Sequence, residues 1–164
     1  MKKIILALAC CGVLASCVKD EDKDPIDVSK TTYLMDGRWQ LKAYTWLPDI
    51  GDSTAFPVDV YTPLSGCVKD NYYTFNTTNA VARHEGGSKC VISDPDSLEY
   101  RYALTETDKF LRIWSNADDM ENSTVLAGSI EYPSIDTFIV TYTKPKPGDT
   151  ALTSRYVETY VKQK

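Results

Sequence analysis

Along most of this chain apolar and polar residues alternate with a period of two, and that pattern restricts it to strands. Trp39, Leu41, Ala43, Thr45 and Leu47 alternate with Arg38, Gln40, Lys42, Tyr44 and Trp46. Leu98, Tyr100, Tyr102 and Leu104 alternate with Glu99, Arg101 and Ala103, and Leu111 and Ile113 flank Arg112. Phe138, Val140 and Tyr142 alternate with Thr137, Ile139 and Thr141. Such alternation in β-branched and aromatic residues puts successive side chains on opposite faces of a sheet. The eleven tyrosines fit the same picture, because Tyr favours strands and joins an apolar ring to a polar tip. Eight strands are predicted, over 38–47, 71–76, 79–85, 98–104, 110–115, 125–132, 136–143 and 155–162. No segment carries a helical period. Glu106-Thr107-Asp108-Lys109 and Pro133-Ser134-Ile135-Asp136 read as turns. Lys144 to Asp149 reads as a longer loop, since its prolines interrupt a sheet ladder. Short connections make successive strands antiparallel neighbours, and eight in sequence can close on themselves and remove their edges. The expectation is an all-β, single antiparallel up-and-down eight-stranded barrel, with a two-sheet β-sandwich as the alternative.

The N-terminus has a different character. Lys2 and Lys3 precede an apolar run from Ile4 to Leu14, closed by Leu14-Ala15-Ser16-Cys17. These are the marks of a secretory signal, and the run falls short of the roughly 20 apolar residues that span a bilayer. Leu-Ala-Ser-Cys resembles the lipobox of bacterial lipoproteins. The resemblance implies cleavage after residue 16 and lipid chains such as palmitate on Cys17, which then anchors the protein to a membrane. A plain secretory signal with an incidental cysteine is the alternative. Val18-Lys19-Asp20-Glu21-Asp22-Lys23-Asp24 resembles the export signal of Bacteroidetes lipoproteins, which implies the outer face of the outer membrane. The same charges also make a solvated tether, expected over 17–30.

Removing residues 1–16 from the 164 leaves 148, one domain's worth, assigned to 31–164. The removed part holds two lysines and no acid, so the net charge moves from −5 to −7. An acidic chain without a basic patch is a poor candidate for nucleic acid. Of five cysteines, Cys10 and Cys11 leave with the signal and Cys17 takes lipid. Cys67 and Cys90 remain, and a leftover pair in an exported protein is expected to form a disulfide. The two flank a strand, the turn Asn76-Thr77-Thr78-Asn79 and a second strand, so a bond would close the base of a hairpin.

A family resemblance rests on several segments. Gly37-Arg38-Trp39-Gln40-Leu41 opens the first strand, followed by Cys67-Val68-Lys69-Asp70-Asn71-Tyr72-Tyr73-Thr74-Phe75 and Gly87-Ser88-Lys89-Cys90. Together these resemble the lipocalin-like, calycin-type lipoproteins of Bacteroidetes, over roughly residues 33–162. Gly37 and Trp39 match the Gly-x-Trp motif at the start of such barrels. The resemblance implies a Trp39 packed at the closed end, under an arginine from the last strand, the part expected of Arg155. It also implies an interior lined by Leu41, Tyr100, Tyr102, Phe138 and Tyr142, residues that serve equally as plain core. The chain is short and shows no C-terminal helix, unlike true lipocalins.

Chemistry-bearing patterns are few. His84 is the only histidine, and nothing around it suggests a Ser–His–acid arrangement. Asp118, Asp119 and Glu121, and separately Asp94 and Asp96, are acidic loops without calcium-loop spacing. Two cysteines and one histidine make no metal set. No catalysis, cofactor or metal is therefore expected. Asp52-Ser53-Thr54, Asp96-Ser97-Leu98 and Asp149-Thr150-Ala151 resemble the O-glycosylation sequence of exported Bacteroidetes proteins. Two functions are compatible with this reading. One is a lipid-anchored binding protein for a small apolar or amphipathic ligand. The other is a surface interaction protein with a packed interior, meeting a protein or glycan through loops and exposed aromatics such as Trp46 and Trp114.

Overall fold

In a computed structural model, residues 30–48, 50, 54–105, 107–115, 118–146 and 148–164 are described. The signal 1–16, Cys17 and the tether up to residue 29 lie outside them. The chain forms a closed, antiparallel eight-stranded barrel with very little helix. Its order is α1 (Lys30–Met35), β1 (Trp39–Leu47), β2 (Val58–Asp59), α2 (Gly66–Lys69), β3 (Tyr72–Phe75), β4 (Ala80–His84), β5 (Ser97–Thr105), β6 (Phe110–Trp114), β7 (Thr124–Ser134), β8 (Thr137–Lys146) and β9 (Asp149–Lys162). Each strand from β3 to β9 pairs with the next, β1 pairs with β3, and β9 returns to β1. The eight predicted strands are β1 and β3 to β9; the two-residue β2 lies outside the barrel count, on the β1 edge.

The β1–β3 seam is the thin part of the wall. Only Trp39 and Gln40 pair with β3, opposite Tyr73 and Tyr72. Further along β1 the same edge is covered by the segment after residue 58. Val60 and Tyr61 both donate their amides to the Tyr44 carbonyl (2.8 and 3.1 Å), and β2 pairs with Thr45 and Trp46. The Gln40 side chain holds the end of α2 by donating to the Lys69 carbonyl at 2.7 Å. The Cys67–Cys90 disulfide, with Cα atoms 5.2 Å apart, ties α2 to the loop that follows β4. It therefore lies at the base of the β3–β4 hairpin. The turn of that hairpin is organised by Asn76, whose Oδ1 accepts from the amides of Thr78 and Ala80, and by Asn79 in the left-handed region at φ 56°.

Two stretches differ from the sequence expectation. In β1 the register slips between Leu41 and Ala43, so Lys42 is an extra residue bulged out of the ladder. Beyond it the alternation changes phase. Tyr44 lies opposite Glu158 and Trp46 opposite Tyr156, on the same face as Leu41 opposite Tyr160. Trp46 therefore faces into the barrel with Trp39, rather than outward. The second difference is at Lys144 to Lys146, which continues β8 instead of opening a loop. Pairing of β8 with β7 ends at Thr141, so Pro145 sits where the strand is bonded on one side, to β9. A proline is tolerated there because the missing N–H costs no ladder bond.

The closed end is sealed by α1. Leu34 is fully buried, and the Trp39 indole donates to its carbonyl at 2.7 Å. Gly37 has φ 155°, and a Cβ there would lie 2.6 Å from Cε of Lys162, whose stem covers it. The Lys162 ammonium reaches Asp36 at 3.0 Å. The resemblance assigned Arg155 to this end, and the structure corrects that. Because β9 runs antiparallel to β1, Trp39 meets the end of β9, at Lys162. Arg155 is opposite Leu47 and Thr143 towards the open end, exposed, and points away from the interior face held by Tyr156. Inside the wall, Gly128 lets β7 and β8 approach closely. A Cβ at this position would collide with the Thr141 carbonyl oxygen.

Candidate functional site

The barrel interior is layered from its closed end. Trp39, Phe75, Tyr102 and Phe138 form the floor, with Phe138 edge-on to Trp39 at 5.0 Å and Phe75 edge-on to Tyr102 at 5.0 Å. The Tyr102 hydroxyl donates to the Asn76 carbonyl at 2.9 Å, so its polar tip is satisfied by the hairpin turn. Tyr160 stacks on Phe138 at 4.7 Å and meets Tyr73 edge-on at 5.9 Å. Among the described residues, the void lined by Tyr73, Phe75, Phe138 and Tyr160 is of about 10 Å³, so these rings fill the lower half. Towards the open end, Tyr142, Tyr156 and Trp46 make a second row across β8, β9 and β1. Tyr142 stacks on Tyr156 at 5.3 Å, and Tyr156 on Trp46 at 6.5 Å.

Glu158 lies between the two aromatic layers, two residues from Tyr156 and two from Tyr160 along β9. Its carboxylate accepts from the Tyr142 hydroxyl at 2.6 Å and from the Tyr160 hydroxyl at 2.5 Å. The Tyr44 and Tyr142 hydroxyls are 3.3 Å apart. Among the described residues no lysine, arginine or histidine pairs with Glu158. Burial and then the negative charge of Glu158 push Tyr73 up to about 12, and the same two causes hold Tyr142 and Tyr160 above the ordinary phenol value. Tyr142 and Tyr160 thus keep their protons as donors to the carboxylate.

Beside Glu158 is a cavity of about 100 Å³, bounded by Tyr73, Tyr100, Tyr160 and Glu158 and by the apolar Leu126 and Val125. Val125 is bulged between the Ile113–Leu126 and Trp114–Thr124 pairs and is 47% exposed, so the cavity reaches the surface beside β7. A second depression of about 150 Å³ lies against Glu99, Tyr100, Arg101 and Ser115. Among the described residues no group of three or more His, Cys, Asp or Glu is placed to hold a metal ion.

Of the residues expected to line a ligand site, Tyr100 borders the cavity. Leu41 is half-buried opposite Tyr160, Tyr102 and Phe138 belong to the floor, and Tyr142 belongs to the upper row. Gly37 and Trp39 are at the sealed end. Cys17 is outside the described residues. His84 stacks on Tyr72 at 4.7 Å on the outer face and bonds Thr74 at 2.8 Å; burial and the nearby Arg38 hold its pKa below the usual value. Trp114 is half-buried on the outer side of β6, opposite Arg101. Glu158, Tyr73 and Tyr160 were missed by the sequence reading. The available signal was an acid flanked by tyrosines at both second neighbours. In the sequence it competes with Val157 and Val161, which favour the other face of β9 equally.

The fold and this interior define a class: a closed eight-stranded antiparallel barrel, consistent with a lipocalin-like barrel, with a filled floor and a cavity above it. Comparison with protein-family models gives no match, and no curated protein is significantly similar in sequence.

Proposed function

We propose that this protein is a lipocalin-like, non-catalytic binding protein that holds a small apolar or amphipathic molecule in the upper half of its barrel. The observation that carries this reading is the cavity beside Tyr73, Tyr100 and Tyr160, above the packed aromatic floor. An eight-stranded barrel has room for filling side chains or one small ligand. Here the lower half takes the first course and the upper half leaves space. The sequence from Lys2 to Asp24 supports lipidation at Cys17 and display on the outer face of an outer membrane, as in the Bacteroidetes lipoproteins it resembles.

Native mass spectrometry of protein purified from its own host tests both parts. A small molecule released on unfolding, together with an N-terminal peptide carrying acyl mass on Cys17, is the expected result. A bare barrel that also fails to take up any small probe would reject the binding role. A second reading, interaction through the surface, is favoured by one observation: Phe56 and Ile92 are 80% and 91% exposed. Phe56→Ser and Ile92→Ser would then abolish cross-linking to a cell-surface partner without altering the cavity.

A further inference from the structure

We propose that the cavity takes a small organic cation, an ammonium group on a short apolar body, with Glu158 as its counter-ion. This rests on the reading of the barrel interior as a ligand site, and it names the ligand's chemistry. Three observations carry it. The Glu158 carboxylate borders the cavity and is held in place by two phenol donors, one on each oxygen. Each oxygen keeps a lone pair for a further donor. Glu158 is part-buried, and among the described residues no cation neutralises it. The remaining polar wall consists of tyrosines 73, 100 and 160, whose ring faces attract cations, and Leu126 and Val125 complete it for an alkyl body.

Among the described residues, Arg83 and Lys144 have other contacts, and the charge of Arg83 also acts on Tyr73. The Arg83 guanidinium bonds Glu85 at 3.2 Å. The Lys144 ammonium lies over the Tyr142 ring, 5.0 Å from its centroid, so the aromatic wall already holds one ammonium at its rim. Size limits the guest. A cavity of about 150 Å³ admits benzene, so one of about 100 Å³ admits on the order of five heavy atoms. An anion of the same size would face an unpaired carboxylate.

The test is calorimetric titration of the full chain at low salt with n-butylammonium, n-butanol and butyrate, three probes of nearly equal shape. The binding site is located by amide NMR shifts. The expectation is that butylammonium binds about tenfold tighter than butanol, that butyrate does not bind, and that shifts centre on Tyr73, Tyr100 and Leu126. Glu158→Gln should remove that preference, so that butylammonium and butanol bind with nearly equal affinity. Butanol affinity equal to that of butylammonium, or a cation preference that survives Glu158→Gln, overturns the inference. Should the variant fail to fold, the three-probe series on the unaltered chain decides alone. Binding of butanol without butylammonium would sink the cation and keep the binding role. Binding of none of the three would sink both.

Discussion

Trp39 shows how one side chain can close a barrel. Its ring fills the floor against Phe138, and its N–H satisfies the Leu34 carbonyl at the end of α1. Trp39→Phe keeps much of the packing but leaves that buried carbonyl without its donor. A loss of about 1–3 kcal/mol in urea denaturation is expected, more than a substituted outward tryptophan such as Trp114 would cost. The tyrosines around Glu158 set an alkaline limit. Tyr73 and Tyr160 are raised above the ordinary phenol value of 10.0, first by burial and then by Glu158. A raised phenol keeps its proton in the folded state while the unfolded chain loses it. The stability from these groups is therefore whole below pH 10 and falls as pH rises towards about 12 for Tyr73. Each such group contributes a slope of up to about 1.4 kcal/mol per pH unit. Denaturation midpoints measured from pH 8 to pH 11.5 should stay level and then drop above pH 10. A flat profile throughout would show that these phenols titrate in the folded barrel as they do in the unfolded chain.

At the level of elements, the eight barrel strands were legible because each pairs a period of two with β-branched or aromatic residues. What escaped was short or conditional. α1 and α2 have six and four residues, too few to display a helical period, and β2 has two. Pro145 is read as a breaker because its permission to stay in β8 comes from where β7 stops, which the local sequence does not record. Similarly, the start of β9 is marked by nothing in the run from Asp149 to Ser154. The part of the candidate site on β5 was visible, since Tyr100 follows an unbroken alternation. The part on β9 was hidden by two equally good faces. The disulfide acts on these elements directly. It closes a loop of 23 residues, and its removal should cost about 3 kcal/mol in the chain-entropy picture. Cys67→Ser with Cys90→Ser is expected to lower the urea midpoint accordingly. It should also loosen the segment from Val58 to Lys69, seen as faster proteolysis there.

For the molecule as a whole, the wall is of uneven strength. β8 and β9 are paired from Thr137–Val161 to Pro145–Thr153, and β9 continues into β1 over almost its full length. The β1–β3 seam has two paired residues on each side and borrows the rest of its closure from β2 and α2. Local opening should follow that gradient. In hydrogen exchange the amides between β8 and β9 are expected to be the slowest in the chain, and those of β2 among the fastest. Uniform protection around the barrel would contradict the picture of a single thin seam. Such a seam lies beside Tyr73, which pairs with Trp39 across it and also lines the cavity.

The bulge at Lys42 gives the barrel one residue of slack in its length. Lys42 is exposed and has no partner in the β1–β9 register, so excising it joins Leu41 to Ala43 in a regular ladder. Every other side chain of β1 then keeps its present face. β8 has no such spare residue between Phe138 and Tyr142, where each position is matched on β9. Loss of Ile139 would turn one end of that strand inside out. A one-codon deletion is thus expected to leave a folded barrel at Lys42 and none at Ile139, a difference that circular dichroism of the two purified chains would register at once. Chains of this fold can differ in length by a residue in the first strand and still enclose the same interior.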